Sequence, residues 1–251
     1  MRRLAGAIVV YAVIGASPGA AFAQMMVGSP TDAAPFGNPI SDESIYYHAV
    51  LNQFEGRFGS ENSFRWEGEA WAGSDTNRIW LKSEGETNAK GDIEDGQHEL
   101  LYDRPISTYF DVQGGLRLDA DSRSGRTWAA AGVEGLAPLF FHVSATGYAS
   151  SEGHYAAKLE GDYDLLLTQR LILQPQVELN FYTKDDPARR IETGLSDLDS
   201  GLRLRYEFSR KFAPYVALTY ENRFGGTATF SRAMGEGPSA LRFAVGLRAW
   251  L

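Results

Sequence analysis

The stretch RLILQPQVELNF, residues 170–181, decides the fold class because its residues alternate between two faces. The odd-numbered positions from Leu171 to Phe181 are aliphatic or aromatic, apart from one proline. The even-numbered positions from Gln174 to Asn180 are all polar. A period of two is typical of a β-strand that has one apolar and one polar face.

The same alternation recurs along the chain in about twelve segments of roughly ten residues, the length of a tilted strand that crosses a bilayer. It predicts an all-β fold, a transmembrane antiparallel up-and-down β-barrel over residues 46–251. The fourth segment is the weakest, because His98, Leu100 and Tyr102 give one face a mixed character. The predicted strands are 47–58, 63–72, 78–87, 97–104, 108–120, 126–137, 140–150, 154–166, 169–182, 197–208, 213–224 and 240–251.

The connections between these segments favour a membrane barrel over a soluble β-sandwich. Every second connection is predicted to be short, whereas three of the others, at 88–96, 183–196 and 225–239, are long and polar. Short turns at one end and long loops at the other are characteristic of outer-membrane barrels. The final segment adds to this, since Phe243, Val245 and Leu247 begin an apolar alternation that runs to Leu251.

The N-terminal residues predict export. Arg2 and Arg3 precede an apolar run, and Ala21-Phe22-Ala23 offers small residues at a cleavage site. We therefore expect a signal peptide over residues 1–23, a flexible lead-in over 24–45, and a location in the outer membrane of a Gram-negative cell. The apolar run is too short to be a comfortable transmembrane anchor.

The composition excludes several classes of function. The chain of 251 residues has 32 Asp and Glu against 24 Lys and Arg, a formal net charge of −8. Such an acidic protein is poorly suited to binding the negatively charged phosphate backbone of nucleic acid, so nucleic acid is not an expected partner. The absence of cysteine excludes disulfides, thiolate metal sites and thiol catalysis.

The polar face of each strand is expected to line the lumen, because a charged side chain that faces the lipid midplane costs about 2–4 kcal/mol. Opposed acidic and basic side chains predict an internal lattice of ion pairs that braces the wall. The acidic excess predicts a field that attracts cations, and the two interpretations are compatible. The carboxylates assigned to the lumen as candidate site residues are Glu67, Glu69, Glu84, Glu134, Glu160, Asp162, Asp164, Glu178, Asp199, Glu207 and Glu221.

Candidate metal ligands are sparse and show no recognised spacing. His142 and His154 share the lumen-facing parity of neighbouring strands, and Met25, Met26 and Met234 are soft donors outside the strands. Each histidine is equally interpretable as a hydrogen-bonded residue of the barrel wall. A hard cation could instead be bound by the carboxylates alone.

An enzymatic interpretation rests on His142 and Ser144, which lie two residues apart and therefore share a strand face. Outer-membrane phospholipases use a Ser–His pair that faces lipid. Here Phe141, Val143 and Ala145 occupy the lipid side, so the pair faces the lumen. The sequence therefore predicts no enzymatic activity.

Five long strings identify a family resemblance. They are GEAWAGSDTNRIWLKSEGE (68–86), ELLYDRPISTYFDVQGGLR (99–117), RTWAAAGVEGLAP (126–138), LEGDYDLLLTQRLILQPQVELNFYTKDDP (159–187) and GLRLRYEFSRKFAPYVALTYENRFGGTA (201–228). In these strings the chain resembles the copper resistance protein B family of outer-membrane proteins.

The resemblance implies a barrel that works with periplasmic copper-handling proteins in copper tolerance. Family members often carry a Met- and His-rich segment before the barrel, whereas this chain offers only Met25 and Met26 there. We therefore expect a monomeric barrel in outer-membrane lipid that binds or passes copper ions transiently, through the lumen and its loops. The alternative is a general small-solute porin or a structural barrel that does not transport copper.

Overall fold

A computed structural model describes residues 44–59, 61–120, 125–233, 235 and 237–251. The predicted signal peptide, nearly all of the lead-in, Met25, Met26 and Met234 lie outside these residues. The barrel begins with the first strand at Tyr46.

Twelve antiparallel strands form one closed barrel. We label them β1 to β12 in chain order, and the eighth is interrupted at 163–164. The strands are Tyr46–Phe58, Ser63–Gly73, Arg78–Asn88, Ile93–Pro105, Phe110–Asp119, Arg126–Ala137, Phe141–Ser150, Tyr155–Asp162 with Leu165–Leu166, Leu171–Tyr182, Gly194–Tyr206, Phe212–Arg223 and Ser239–Trp250.

Each strand pairs with its neighbours in the chain, and β12 pairs with β1 to close the sheet. Closure removes the exposed edges that an open sheet would leave. The predicted fold class and strand number are therefore confirmed. Among the described residues, no helix is long and apolar enough to cross a membrane.

The connections alternate between two ends of the barrel. One end, which we call the short-turn end, carries the connections 74–77, 106–109, 138–140, 167–170 and 207–211. The opposite end, the long-loop end, carries 59–62, 89–92, 120–125, 151–154, 183–193 and 224–238. The predicted asymmetry in the length of the connections is present, because the connections at 183–193 and 224–238 are long.

One of the three long loops predicted from the sequence is wrong, and another contains a helix. The connection at 88–96 is a tight turn, because β3 and β4 extend until the Asn88 backbone N–H donates to the Asp92 carbonyl at 3.0 Å. The Asn88 side-chain oxygen also accepts from the backbone N–H of Lys90 at 2.9 Å, a local capping that asparagine favours in turns. The loop at 225–239 begins with a helix, α1, over Gly225–Ala233.

The outer wall is apolar over the middle of the strands. Leu81, Leu100 and Leu116, on β3, β4 and β5, are each more than half exposed. Val216 and Phe243 continue the surface on β11 and β12. An apolar band of this extent on every side is the surface that lipid covers in an outer-membrane-type barrel.

The interior also contains apolar packing, which alternation alone did not predict. Leu101, Trp128, Ala130 and Tyr148 form a buried cluster inside the wall formed by β4, β6 and β7. A second cluster on β11 and β12 contains Tyr215, which points into the lumen and donates to Glu55 at 2.9 Å. A twelve-stranded barrel is wider than the eight-stranded barrels that side chains just fill, so this packing narrows the lumen.

Candidate functional site

Ion pairs that join strands on opposite sides of the barrel establish which face lines the lumen. The Lys158 Nζ on β8 lies 2.6 Å from a Glu84 oxygen on β3. Arg65 on β2 lies 3.3 Å from Glu178 on β9. Arg57 on β1 lies 3.1 Å from Asp199 on β10. Side chains of such distant strands can meet only across the interior.

The structure places the carboxylates assigned by strand parity on this interior face or at its ends. Asp164 lies at the break in β8, 2.7 Å from Arg205, and Glu207 follows the end of β10, 4.0 Å from the same guanidinium. Their role in attracting cations stays a prediction. The lattice of ion pairs expected from the opposed charges is present throughout the lumen.

The lumen holds two cavities that differ in charge. The first, of ≈ 140 Å³, lies toward the short-turn end, and we call it the short-turn chamber. Two lysines, Lys82 and Lys158, and eight carboxylates line it, a formal excess of six negative charges. The carboxylates are Glu67, Glu69, Glu84, Glu99, Glu134, Glu160, Asp162 and Glu178.

The second cavity, of ≈ 220 Å³, lies beneath the long loops, and we call it the long-loop chamber. Its seven lining carboxylates face six arginines, which leaves a formal excess of one negative charge. Glu178 and Gln97 line both chambers. Between the two chambers, the acidic excess is therefore concentrated in the lining of the short-turn chamber.

His142 lies at the short-turn end of β7 between two carboxylates. Its Nε2 is 3.4 Å from a Glu134 oxygen on β6, and its Nδ1 is 3.4 Å from an Asp162 oxygen on β8. The ring is about half exposed and lines the short-turn chamber. An imidazole nitrogen flanked by carboxylates is a donor set that suits a divalent transition metal.

His154 does not join this group. His142 is paired with Asp162 at one end of the β7–β8 hairpin, whereas His154 lies in the turn at the other end. At about 3.3 Å per residue the two are separated by roughly 25 Å along the strand. The two histidines therefore cannot bind the same ion.

The hydroxyl of Ser144 is not placed for attack with His142 as base. It donates to Glu160 at 2.6 Å, while both nitrogens of His142 face carboxylates. A nucleophile needs its base within hydrogen-bond reach. The geometry of this pair is that of a hydrogen-bonded lumen wall.

Several lumen residues were missed because the parity of β4 was not assigned from sequence. Glu99 accepts a hydrogen bond from the Tyr148 hydroxyl at 2.7 Å, and Asp103 is fully buried. Lys82 and Arg117, the register partners of Glu99 on β3 and β5, carry the opposite charge. That cross-strand complementarity is the signal that could have identified the inner face of β4.

The long-loop end is covered by the loop at 183–193 and by α1. Arg189 reaches from the loop into the lumen, where its Nη1 lies 2.7 Å from Asp119. Asp186 accepts from Arg126 at the rim of β6 at 2.6 Å. Glu192 accepts from the backbone N–H of Gly226 at the start of α1, which joins the two covering segments.

Replacing Arg189 by alanine is expected to loosen this cover. The lost charge-assisted hydrogen bond contributes about 1.5–3 kcal/mol, enough to raise the population of the open loop by about tenfold or more. Hydrogen exchange of the Ile191 backbone N–H, which donates to Asp186 at 3.0 Å, should accelerate by that factor. Lys184→Ala, at an exposed position of the same loop, is the matched control. Equal exchange rates in both variants would contradict the anchoring role of Arg189.

The family assignment rests on sequence comparison over the barrel. The model of the family described as copper resistance protein B precursor (CopB) matches residues 45–251. The chain belongs to the CopB family. This confirms the resemblance noted in the sequence.

Two relatives from the same family match most of this chain. It is 43% identical over 228 residues to copper resistance protein B of Escherichia coli, a match that spans 88% of this chain and 77% of that protein. It is 41% identical over 215 residues to a copper resistance protein B homolog of Pseudomonas syringae pv. tomato, across 85% and 73% of the two chains.

Among solved structures, the NanC porin resembles the CopB barrel with a TM-score of 0.51 and 14% sequence identity. The match covers 81% of this chain and 99% of the porin. This likeness supports the barrel fold alone.

Proposed function

We propose that this CopB-family barrel is a monomer in the outer membrane that binds copper ions in its short-turn chamber and passes them through the lumen. The single observation that carries the proposal is the charge of that chamber. Eight carboxylates face only two lysines there, with His142 among them. A surplus of fixed negative charge in a low-dielectric wall raises the local concentration of cations.

The donor atoms in the chamber favour Cu(II) over Cu(I). Carboxylate oxygens and an imidazole nitrogen are ligands that suit Cu(II), whereas Cu(I) prefers thiolates and thioethers. The chain contains no cysteine. Among the residues that the structure describes, no methionine lines either chamber.

The size of the cavities supports this function over that of a general porin. A chamber of ≈ 140 Å³ has room for a hydrated ion, since one water needs roughly 10–15 Å³ of cavity volume. Ion pairs across the lumen, such as Lys158 with Glu84 and Arg57 with Asp199, limit passage of larger solutes.

The short-turn end is the periplasmic end in this proposal, as in other outer-membrane barrels. Copper-handling proteins of the periplasm would then exchange ions at the mouth that contains His142. Copper would be held transiently, because conduction requires binding that is weak enough for the ion to leave.

Neutralising the chamber is expected to slow copper passage. In liposomes that contain the purified full-length barrel and an enclosed copper-quenched dye, Glu69→Gln combined with Asp162→Asn should reduce the rate of copper entry by about tenfold or more. Glu61→Gln combined with Asp75→Asn, at exposed positions in the turns, changes the net charge equally and should leave the rate unchanged.

Two results would overturn the proposal. The first is a natural-sequence barrel that neither retains copper after purification nor admits it to liposomes. The second is an equal loss of rate in both double variants. Entry of uncharged sugars at a rate similar to that of copper would instead favour the porin alternative.

A further inference from the structure

A row of carboxylates crosses four adjacent strands on the inner face of the barrel. Glu160 on β8 is directly opposite Glu178 on β9, and Glu178 is directly opposite Asp199 on β10. Asp199 is in turn opposite Glu221 on β11. Like charges directly opposite each other destabilise a sheet. The row therefore requires positive charge in the lumen beside it.

Three carboxylates from the two sides of the lumen converge next to Glu160 and Glu178 in this row. Glu84 reaches across from β3 toward Glu160 and Glu178. One oxygen atom from each of the three lies within 4.8 Å of the others. That separation is compatible with the ligand oxygens around a divalent cation after small side-chain adjustments.

Two positively charged groups lie at this point. The Arg65 Nη2 is 3.3 Å from Glu178 and 3.9 Å from Glu84, whereas the ammonium group of Lys158 contacts all three carboxylates. Its Nζ lies 2.6 Å from Glu84, 2.9 Å from Glu160 and 3.9 Å from Glu178. The Lys158 side chain is almost fully buried. A single cationic nitrogen thus contacts all three carboxylates, as a bound cation would.

Two buried amide side chains provide an independent indication of a ligand. Gln97 is the register partner of Glu84 on β4, and Gln53 on β1 is the partner of Glu67, which lies opposite Glu84. Gln53 and Gln97 are 3% and 6% exposed, and both line the chamber that contains the three carboxylates. The side-chain oxygen of each is buried without a hydrogen-bond donor. A buried acceptor without a donor is costly unless a cation or another donor satisfies it.

We propose that Glu84, Glu160 and Glu178 form a divalent-cation site in the lumen, which Lys158 occupies with its own ammonium group until a metal ion displaces it. The amide oxygens of Gln53 and Gln97 are neutral oxygens that line the same chamber. All of these ligands are oxygens, so the site accepts hard cations such as Mn²⁺ as well as Cu(II).

This site lies in the chamber whose charge carries the proposed copper function. It goes beyond that function, because it requires neither His142 nor a property specific to copper. It also gives Lys158 a defined role. Its ammonium group competes with a metal ion for the carboxylates, so it sets the affinity of the site. A tethered competing charge lowers the affinity of the site and favours release, which conduction requires.

The test is the affinity of the purified full-length barrel in detergent for Mn²⁺, measured from the electron paramagnetic resonance signal of the free ion. Lys158→Met should lower the dissociation constant by at least about tenfold, because it removes a unit positive charge from the three carboxylates. Lys158→Arg, which keeps the charge, should leave the constant close to that of the natural sequence.

Lys82→Met is the matched control. Lys82 lines the same chamber, but its Nζ pairs with Glu134 at 2.5 Å. This variant should gain much less affinity than Lys158→Met. Adding Glu178→Gln to Lys158→Met should remove the gain. Should the methionine variant fail to fold, Lys158→Gln gives the same comparison.

Equal affinities for Mn²⁺ in the natural sequence, Lys158→Met and Lys82→Met would overturn the proposal. So would a gain in Lys158→Met that persists after Glu178→Gln. Neither result depends on copper flux. A barrel that fails the copper experiment can therefore still show this site, and a barrel that conducts copper can lack it.

Discussion

Replacing Arg57 by methionine is expected to lower the free energy of unfolding of the barrel by about 3–5 kcal/mol. Arg57 is 1% exposed and contacts three carboxylates, at 2.7 Å for Glu55, 3.1 Å for Asp199 and 3.2 Å for Glu86. Methionine fills a similar volume but removes the guanidinium that these carboxylates share. Each carboxylate then keeps one arginine, which is Arg203 for Glu55, Arg65 for Asp199 and Arg242 for Glu86. Urea unfolding of the barrel in detergent micelles, followed by tryptophan fluorescence, measures the change.

Arg248→Met is the matched control for this prediction. Arg248 also faces the lumen, but its hydrogen bond is to the neutral side chain of Asn52 at 3.3 Å. The expected loss is about 1 kcal/mol, as for an ordinary hydrogen bond. Equal losses in the two variants would contradict the view that Arg57 is needed for charge compensation.

A second substitution separates the charge from the packing. Glu55 is 1% exposed and lies between Arg57 and the Tyr215 hydroxyl. Combining Arg57→Met with Glu55→Gln removes the carboxylate nearest to the lost guanidinium, which otherwise keeps only Arg203 at 3.6 Å, so part of the lost stability should return. A double variant less stable than Arg57→Met alone would indicate that packing around the guanidinium, and not its charge, is responsible.

The alternation of residues was sufficient to predict the barrel because one face of each strand meets lipid. In the stretch 170–181, Leu171 and Phe181 belong to the outer side and Glu178 to the lumen, and the observed register agrees. A shift of one residue would exchange the two faces of a strand. The hydrophobic pattern therefore specifies register strongly wherever it is regular.

Irregular positions could not be read in this way. In β1 the register shifts between Leu51 and Gln53, and as a result Val50 is buried whereas Phe54, which has the same parity, is exposed. Nothing in the local pattern marks this irregularity. The inward position of the apolar residues Leu101 and Trp128 was missed for a different reason. They pack in a buried cluster inside the lumen, whereas the alternation pattern assigns every apolar residue to the lipid side.

The candidate site depends on contacts between strands far apart in the sequence. Parity could place Glu84 and Lys158 in the lumen, but it could not indicate that they meet at 2.6 Å across the barrel. Nor could it show that six arginines line the long-loop chamber while the short-turn chamber is lined by eight carboxylates and by no arginine among the described residues. This distribution of charged side chains depends on the tilt and stagger of the strands in the closed barrel, and neither can be derived from a single sequence.

The largest expected change in copper binding is for His142→Ala, which should weaken the affinity of the purified barrel for Cu²⁺ by about 100-fold. Removing an outer-shell partner of a metal ligand typically costs 10–100-fold in affinity, and the loss of a ligand itself lies at the upper end of that range. His142 is the one imidazole that lines the short-turn chamber among the described residues, and Glu134 and Asp162 flank it at 3.4 Å. Isothermal titration calorimetry in detergent gives the dissociation constant.

His154→Ala is the control, because His154 lies at the opposite end of the β7–β8 hairpin and should leave the affinity unchanged. Glu134→Gln keeps the shape of the flanking residue but removes its charge, so it should weaken Cu²⁺ binding by about tenfold, less than the loss of the imidazole. Because only a deprotonated imidazole can bind a metal, the affinity should fall as the pH is lowered, and this dependence should be reduced in His142→Ala. If the two histidine substitutions change the copper affinity equally, or if neither changes it, His142 is not the histidine that binds copper in the short-turn chamber.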